Sequence, residues 1–152
     1  MPTSSATDLW GTLAAEAAAE SPLWGEALRA EPEREAVFSQ LAPDRFALGL
    51  ETIYEGYLVH YGRSRLFAPV DDEAALLLGD YLYAHGLVRI AATGEVDAVA
   101  TLAELISTCA HLQAEQAGGD GDAWVEAVRT LGGEPDAAGV EGALRAHSPR
   151  LA

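Results

Sequence analysis

Apolar residues recur at three- and four-residue spacing through most of the chain, and no stretch keeps the period of two that marks a strand. The pattern predicts an all-α protein. A first helix is expected from Thr7 or Asp8 to Glu20, and Ser21-Pro22 starts a second that runs to about Ala30, Ser being a good cap and Pro a good first helical residue. Pro32 and Pro43 repeat the device, predicting a third helix over 33–41 and a fourth over about 44–61, whose stripe is Phe46, Leu50, Ile53, Tyr57 and Tyr61. A loop follows at 62–70. Beyond it, helices are expected over about 73–93, 96–116, 122–131 and 135–147, with AGGDGD at 117–122 as a mobile loop. Loops this short favour antiparallel neighbours, so the helices should form a bundle.

The stretch 73–93 carries apolar residues on more than one face: Leu76, Tyr83 and Ile90 on one, Leu77, Ala84, Leu87 and Ala91 on another, Leu78 and Leu82 on a third. A helix apolar almost all round belongs in the middle of a bundle, which makes this the expected central helix. Asp80 shares a face with Leu77 and Ala84 and is therefore expected to be a buried polar or ligand-facing carboxylate that must find a partner. Gly79 and Gly86 stand seven apart here, as Gly49 and Gly56 do in the preceding helix. Four mid-helix glycines cost roughly 1 kcal/mol each against Ala. Close approach of the two helix backbones is the expected compensation.

At 152 residues the chain suits a single domain over 7–148, with tails at 1–6 and 149–152, the first expected to be disordered. The net charge of −15 excludes ready binding to nucleic acid and to anionic membrane surfaces. No apolar run reaches the length of about 18 residues that a membrane span needs, and the start has neither the basic nor the apolar segment of a secretory signal. One cysteine, Cys109, allows no internal disulfide and fits a cytoplasmic location. His60, His85, His111 and His147 form no metal-binding motif, and the paired Glu-x-x-His of di-iron bundles does not occur.

One resemblance emerges. Gly79-Asp80-Tyr81-Leu82 on a long apolar helix, the turn at Gly94 and the helix VDAVATLAELIS resemble the middle of the trans-prenyltransferases, the polyprenyl diphosphate synthases, over about 48–112. The resemblance implies a shortened isoprenoid-synthase-like fold. In that family two Asp-rich motifs hold magnesium ions that ionise an allylic diphosphate. At the place of the first motif this chain has Glu51-Thr52-Ile53-Tyr54-Glu55, with the spacing of four that puts both carboxylates on one helix face, but with Glu for Asp. The family's arginine pair is echoed by Arg63 and Arg65, and no second Asp-rich motif follows.

These residues lead to three expectations. The first is a non-catalytic binding or interaction subunit, associating with a protein partner or with itself and using no cofactor. The second is a subunit-dependent enzyme in which Glu51 and Glu55 hold magnesium and Arg63 and Arg65 meet a prenyl diphosphate. The third is a carrier of an isoprenoid or other apolar ligand, with a cavity between the two glycine-bearing helices.

Overall fold

The computed structural model describes residues 5–148, and the tails expected at 1–6 and 149–152 fall outside that range except for Ser5 and Ala6, which open the first helix. The described residues form seven α-helices and one 3-10 turn: α1 (Ser5–Glu20), α2 (Pro22–Glu26), the 3-10 turn (Asp44–Phe46), α3 (Ala47–Tyr61), α4 (Asp72–Ala91), α5 (Val96–Ala114), α6 (Asp120–Thr130) and α7 (Ala137–His147). The all-helical expectation holds. No helix among the described residues is long and apolar enough to cross a membrane.

The centre of the fold is α3, not the helix expected at 73–93. Every residue of α3 from Gly49 to Val59 is buried, including Glu51, Thr52 and Glu55. By contrast α4 buries Leu78, Gly79, Leu82, Gly86 and Ile90, while Leu76, Leu77 and Val88 are 55%, 52% and 63% exposed. The pattern makes α4 apolar all round because its inner face packs on α3 and its outer face carries exposed Leu76, Leu77 and Val88, which no element among the described residues covers. Two cores flank α3. On one side Phe46, Leu50, Ile53, Tyr54 and Tyr57 pack with α5, α6 and α7 through Leu102, Cys109, Trp124, Val128 and Leu144. On the other, Val59 joins Leu9, Trp10 and Leu13 of α1, Trp24 of α2, and Leu78 and Leu82 of α4.

The glycines explain how closely α3 and α4 run. A Cβ on Gly86 would lie 2.5 Å from Ile53 Cγ1 and 3.2 Å from the Gly49 carbonyl, and one on Gly49 would lie 2.5 Å from Ile90 Cδ1. At the other end, a Cβ on Gly56 would meet the Gly79 carbonyl at 3.1 Å, and one on Gly79 would meet His60 Nε2 at 2.5 Å. Gly49 therefore faces Gly86 and Gly56 faces Gly79, an antiparallel pair in which each backbone takes the space of the other's missing side chain.

Three local expectations need correction. The second helix stops at Glu26, and the helix expected over 33–41 does not form. Instead the chain from Ala27 runs alongside the loop after α3: Ala68 N donates to Ala27 O at 2.7 Å, Arg29 N to Leu66 O at 2.8 Å and Glu33 N to Arg65 O at 3.0 Å, with an antiparallel bridge at Leu28 and Phe67. Bonds to another segment replace the i to i−4 ladder, so helical periodicity is overridden. The loop expected at 117–122 is also shorter. Gly119, at φ 115°, precedes α6, and Asp120 and Gly121 are already buried within that helix.

Candidate functional site

Glu51 and Glu55 lie one turn apart on α3, as their spacing implies, but they face inward. Arg65, carried by the loop after α3, folds back between them, and all three residues are 0% exposed. Its Nη1 donates to Glu51 Oε1 at 2.7 Å and its Nε to Glu55 Oε2 at 2.6 Å. Nη1 also reaches the Glu35 carbonyl at 2.9 Å, and the guanidinium carbon stands 4.6 Å from the Trp10 ring centre and 4.8 Å from that of Tyr54. Burial opposes a charge on Arg65, but Glu55 and Glu51 overcome that, and its pKa is held above the ordinary value.

The remaining carboxylate oxygens are taken up by the chain. Glu51 Oε2 accepts from three successive backbone amides, Val37, Phe38 and Ser39, at 2.9, 2.8 and 2.9 Å. Glu55 Oε1 accepts from the Ser64 hydroxyl and from Leu66 N, and its Oε2 accepts from Arg65 N. One guanidinium and five amides thus balance two desolvated carboxylates, the condition under which buried charge is tolerated. A magnesium ion needs several oxygens free to ligate it. Neither Glu51 nor Glu55 presents one to solvent, and Arg65 presents no donor to an incoming phosphate, so these residues do not fit a magnesium diphosphate site. Among the described residues no group of three His, Cys, Asp or Glu is placed to hold a metal ion.

The other two predicted site residues lie apart from this cluster. Arg63 is a surface residue, its Nη2 donating to Glu33 Oε1 at 2.6 Å with both side chains about half exposed. Asp80, expected to be buried, has a side chain 66% exposed and sits 3.2 Å from His60 Nε2. Its helix face is the outer one, so it meets water rather than the core. His60 lies mostly under the surface. Burial lowers its pKa, and Asp80 only partly offsets that.

A second polar cluster had no warning from motif. Asp120, 1% exposed, accepts from the Tyr57 hydroxyl and from Gln113 Nε2 at 2.8 Å, while its Oδ1 and the Trp124 Nε1 have no hydrogen-bond partner among the described residues. Burial, aided by Asp120, raises the pKa of the Tyr57 phenol. Nearby, Tyr54 and His147 share a hydrogen bond 2.7 Å long, and Phe38, Tyr54 and Tyr57 gather around Trp124. The spacing of Asp120, Trp124 and Val128 was the available signal, a stripe at four-residue intervals that begins inside the presumed loop. Cys109 is buried beside this cluster, and burial, with Asp120, pushes its thiol pKa up, as for a cysteine that packs in a core.

Two cavities open at the surface around α5. One of about 550 Å³ opens between Phe46, Gly94, Asp97, Thr101 and Thr130, and it adjoins another of about 350 Å³ between α5 and α6 at Glu104, Leu105 and Ala127. The contact of α3 with α4 is instead filled, as the glycine distances require.

Fold and site together define an all-helical protein whose inward-facing acids and arginine tie its own segments together. Compared with protein-family models, with curated proteins and with solved structures, the chain finds no match.

Proposed function

We propose that the protein is a non-catalytic helical subunit that works by binding another protein, on a shortened isoprenoid-synthase-like arrangement of α3, α4 and α5. The observation that carries this reading is the Glu51–Arg65–Glu55 network. The pair of acids that would have to receive magnesium is turned into the core and neutralised by the arginine that would have to receive diphosphate. The family-like part of the reading is supported by the order of elements, with Gly79 to Leu82 on α4, a turn at Gly94 and then α5. The carrier reading has less support, because a cavity between the glycine-bearing helices would occupy the space in which Ile53, Ile90 and the two backbones already meet.

The test is enzymatic and calorimetric. The purified protein is incubated with an allylic diphosphate and magnesium, and diphosphate release is followed beside a titration with inorganic diphosphate. No turnover and no heat are expected. Turnover that disappears in Glu51→Ala would replace this reading with the enzyme.

A further inference from the structure

The outer face of α4 has a periodicity of its own. Glu73, Leu77, Asp80, Ala84, Leu87 and Ala91 follow one another at alternating intervals of four and three, the seam pattern of a helix that packs lengthwise against another helix; Leu87 is half-buried against the core and the other five are exposed. Leu77 is 52% exposed and Val88, beside the seam, is 63% exposed; Leu76 flanks it at 55%, and Ala84 and Ala91 are exposed as well. From Leu76 to Ala91 the exposed apolar residues span about 22 Å at 1.5 Å per residue, interrupted by Asp80, which is more than scattered surface hydrophobicity accounts for. Two seam positions are acids, Glu73 and Asp80, seven residues apart and so in equivalent places along the seam. A carboxylate inside an apolar seam selects the partner that answers it.

Charge also decides against a second copy of this chain. In a parallel pairing Asp80 faces Asp80 and Glu73 faces Glu73. In an antiparallel pairing centred on Ala84, Asp80 of each copy stands opposite Val88 of the other, a carboxylate against an apolar side chain. The cation nearest that contact, Arg89, is already engaged with Glu16. The parallel arrangement opposes like charges and the antiparallel one leaves Asp80 facing an apolar side chain, between two chains of net charge −15, and both weigh against association.

From the apolar seam and its two acids we infer that the outer face of α4 docks an amphipathic helix of a different, basic protein, whose Lys or Arg residues seven apart meet Glu73 and Asp80 while its apolar residues cover Leu77, Ala84 and Val88. This deepens the proposed function and rests on it. The two fail separately: turnover of an allylic diphosphate overturns the non-catalytic reading, whereas an absence of helix binding in a protein without turnover overturns only this choice of face and partner.

The probe is a synthetic helical peptide with Leu and Ala at heptad seam positions and Lys at two seam positions seven apart, compared with the same peptide bearing Glu at those two positions. Both are titrated into the isotope-labelled full chain, with amide shifts reporting the site and fluorescence anisotropy the affinity. The Lys peptide should shift amides of residues 73–91 and bind at least about tenfold more tightly than the Glu peptide. Asp80→Lys should abolish that preference, since each peptide then makes one attractive and one repulsive contact, and Glu73→Lys, in the exposed first turn, serves if Asp80→Lys disturbs the contact with His60. Val88→Glu should weaken the Lys peptide. Shifts elsewhere or none, or a preference unchanged in both charge-reversed variants, would overturn the proposal. So would a concentration-dependent dimer in sedimentation that Leu77→Glu abolishes, which would make the occupant a second copy.

Discussion

Arg65 and Glu51 form an ion pair 2.7 Å long with neither side chain exposed, between the loop after α3 and the middle of α3 itself. The pair lies at the junction of three segments, because Glu51 also holds the amides of Val37, Phe38 and Ser39, and Arg65 lies against Trp10 of α1. Removing one partner of such a pair leaves buried charge without an answer. Arg65→Met is therefore expected to lower the unfolding free energy by about 3 to 5 kcal/mol, whereas Arg63→Met, which breaks an exposed pair with Glu33, should cost about 0 to 1 kcal/mol. Urea denaturation of the two variants separates these outcomes, and equal losses would mean that Arg65 is not the internal tie.

Helix propensity and packing make opposite demands at Gly86. Alanine in a helix gains roughly 1 kcal/mol over glycine, yet a Cβ at this position meets Ile53 Cγ1 at 2.5 Å. Overpacking of that kind costs about 1 to 3 kcal/mol, so Gly86→Ala should lower the melting temperature. At Gly142 of α7 a Cβ meets nothing within 4 Å, and Gly142→Ala should raise it. Calorimetric scans of both variants are the check.

Tyr57→Phe removes a hydroxyl that donates to the buried Asp120 and leaves that carboxylate with Gln113 as its side-chain donor. The expected loss is about 1 to 3 kcal/mol, the cost of a buried acceptor left short of a donor. Asp120→Asn in the same background should recover part of it, since a neutral amide loses less on burial. A double-mutant cycle by chemical denaturation measures the coupling, and strictly additive losses would deny it.

His60 and His147 both have pKa values lowered from 6.5, in each case first by burial; Asp80 opposes the shift at His60, and Arg65 adds to it at His147. The unfolded chain takes up protons near 6.5 and the folded chain only at lower pH, so in that interval the unfolded state binds more protons and stability rises with pH. The contribution of both imidazoles is complete above 6.5 and is lost as the solution is acidified through the interval below it. Glu16, whose pKa is lowered by its hydrogen bond from Arg89, gives way further into the acid range. Urea midpoints measured between about pH 7.5 and pH 5.5 should fall toward acid, and His60→Gln with His147→Gln should flatten the slope. An unchanged slope in the double variant would assign the effect to other groups.

The residues that were legible in the sequence carry their cause with them. Four glycines within α3 and α4 have no local justification, and a close antiparallel contact is the one place where all four are useful. The boundaries of α4 and α5 follow from Asp71, whose side chain accepts from Ala74 N at 2.8 Å, and from Gly94 at φ 82°. What escaped depends on partners distant along the chain. Nothing near Val37 or Phe38 announces that their amides turn to Glu51, and nothing near Leu28 announces Phe67. Arg65 in an acidic chain looks like a surface cation until the return of the loop places it inside. The apolar outer face of α4 has the pattern of core for a related reason, since periodicity reports that a face is apolar and is silent on whether this chain covers it.

The three amides at Val37, Phe38 and Ser39 have one further consequence. They end on a side chain of α3, so this stretch has no hydrogen-bond ladder of its own to form early, and it can settle only after α3 and Arg65 are in place. The order of assembly is thereby written into the connectivity: hydrogen exchange at these three positions should report release of the Glu51 carboxylate, a single event that opens all three amides together rather than fraying them one by one.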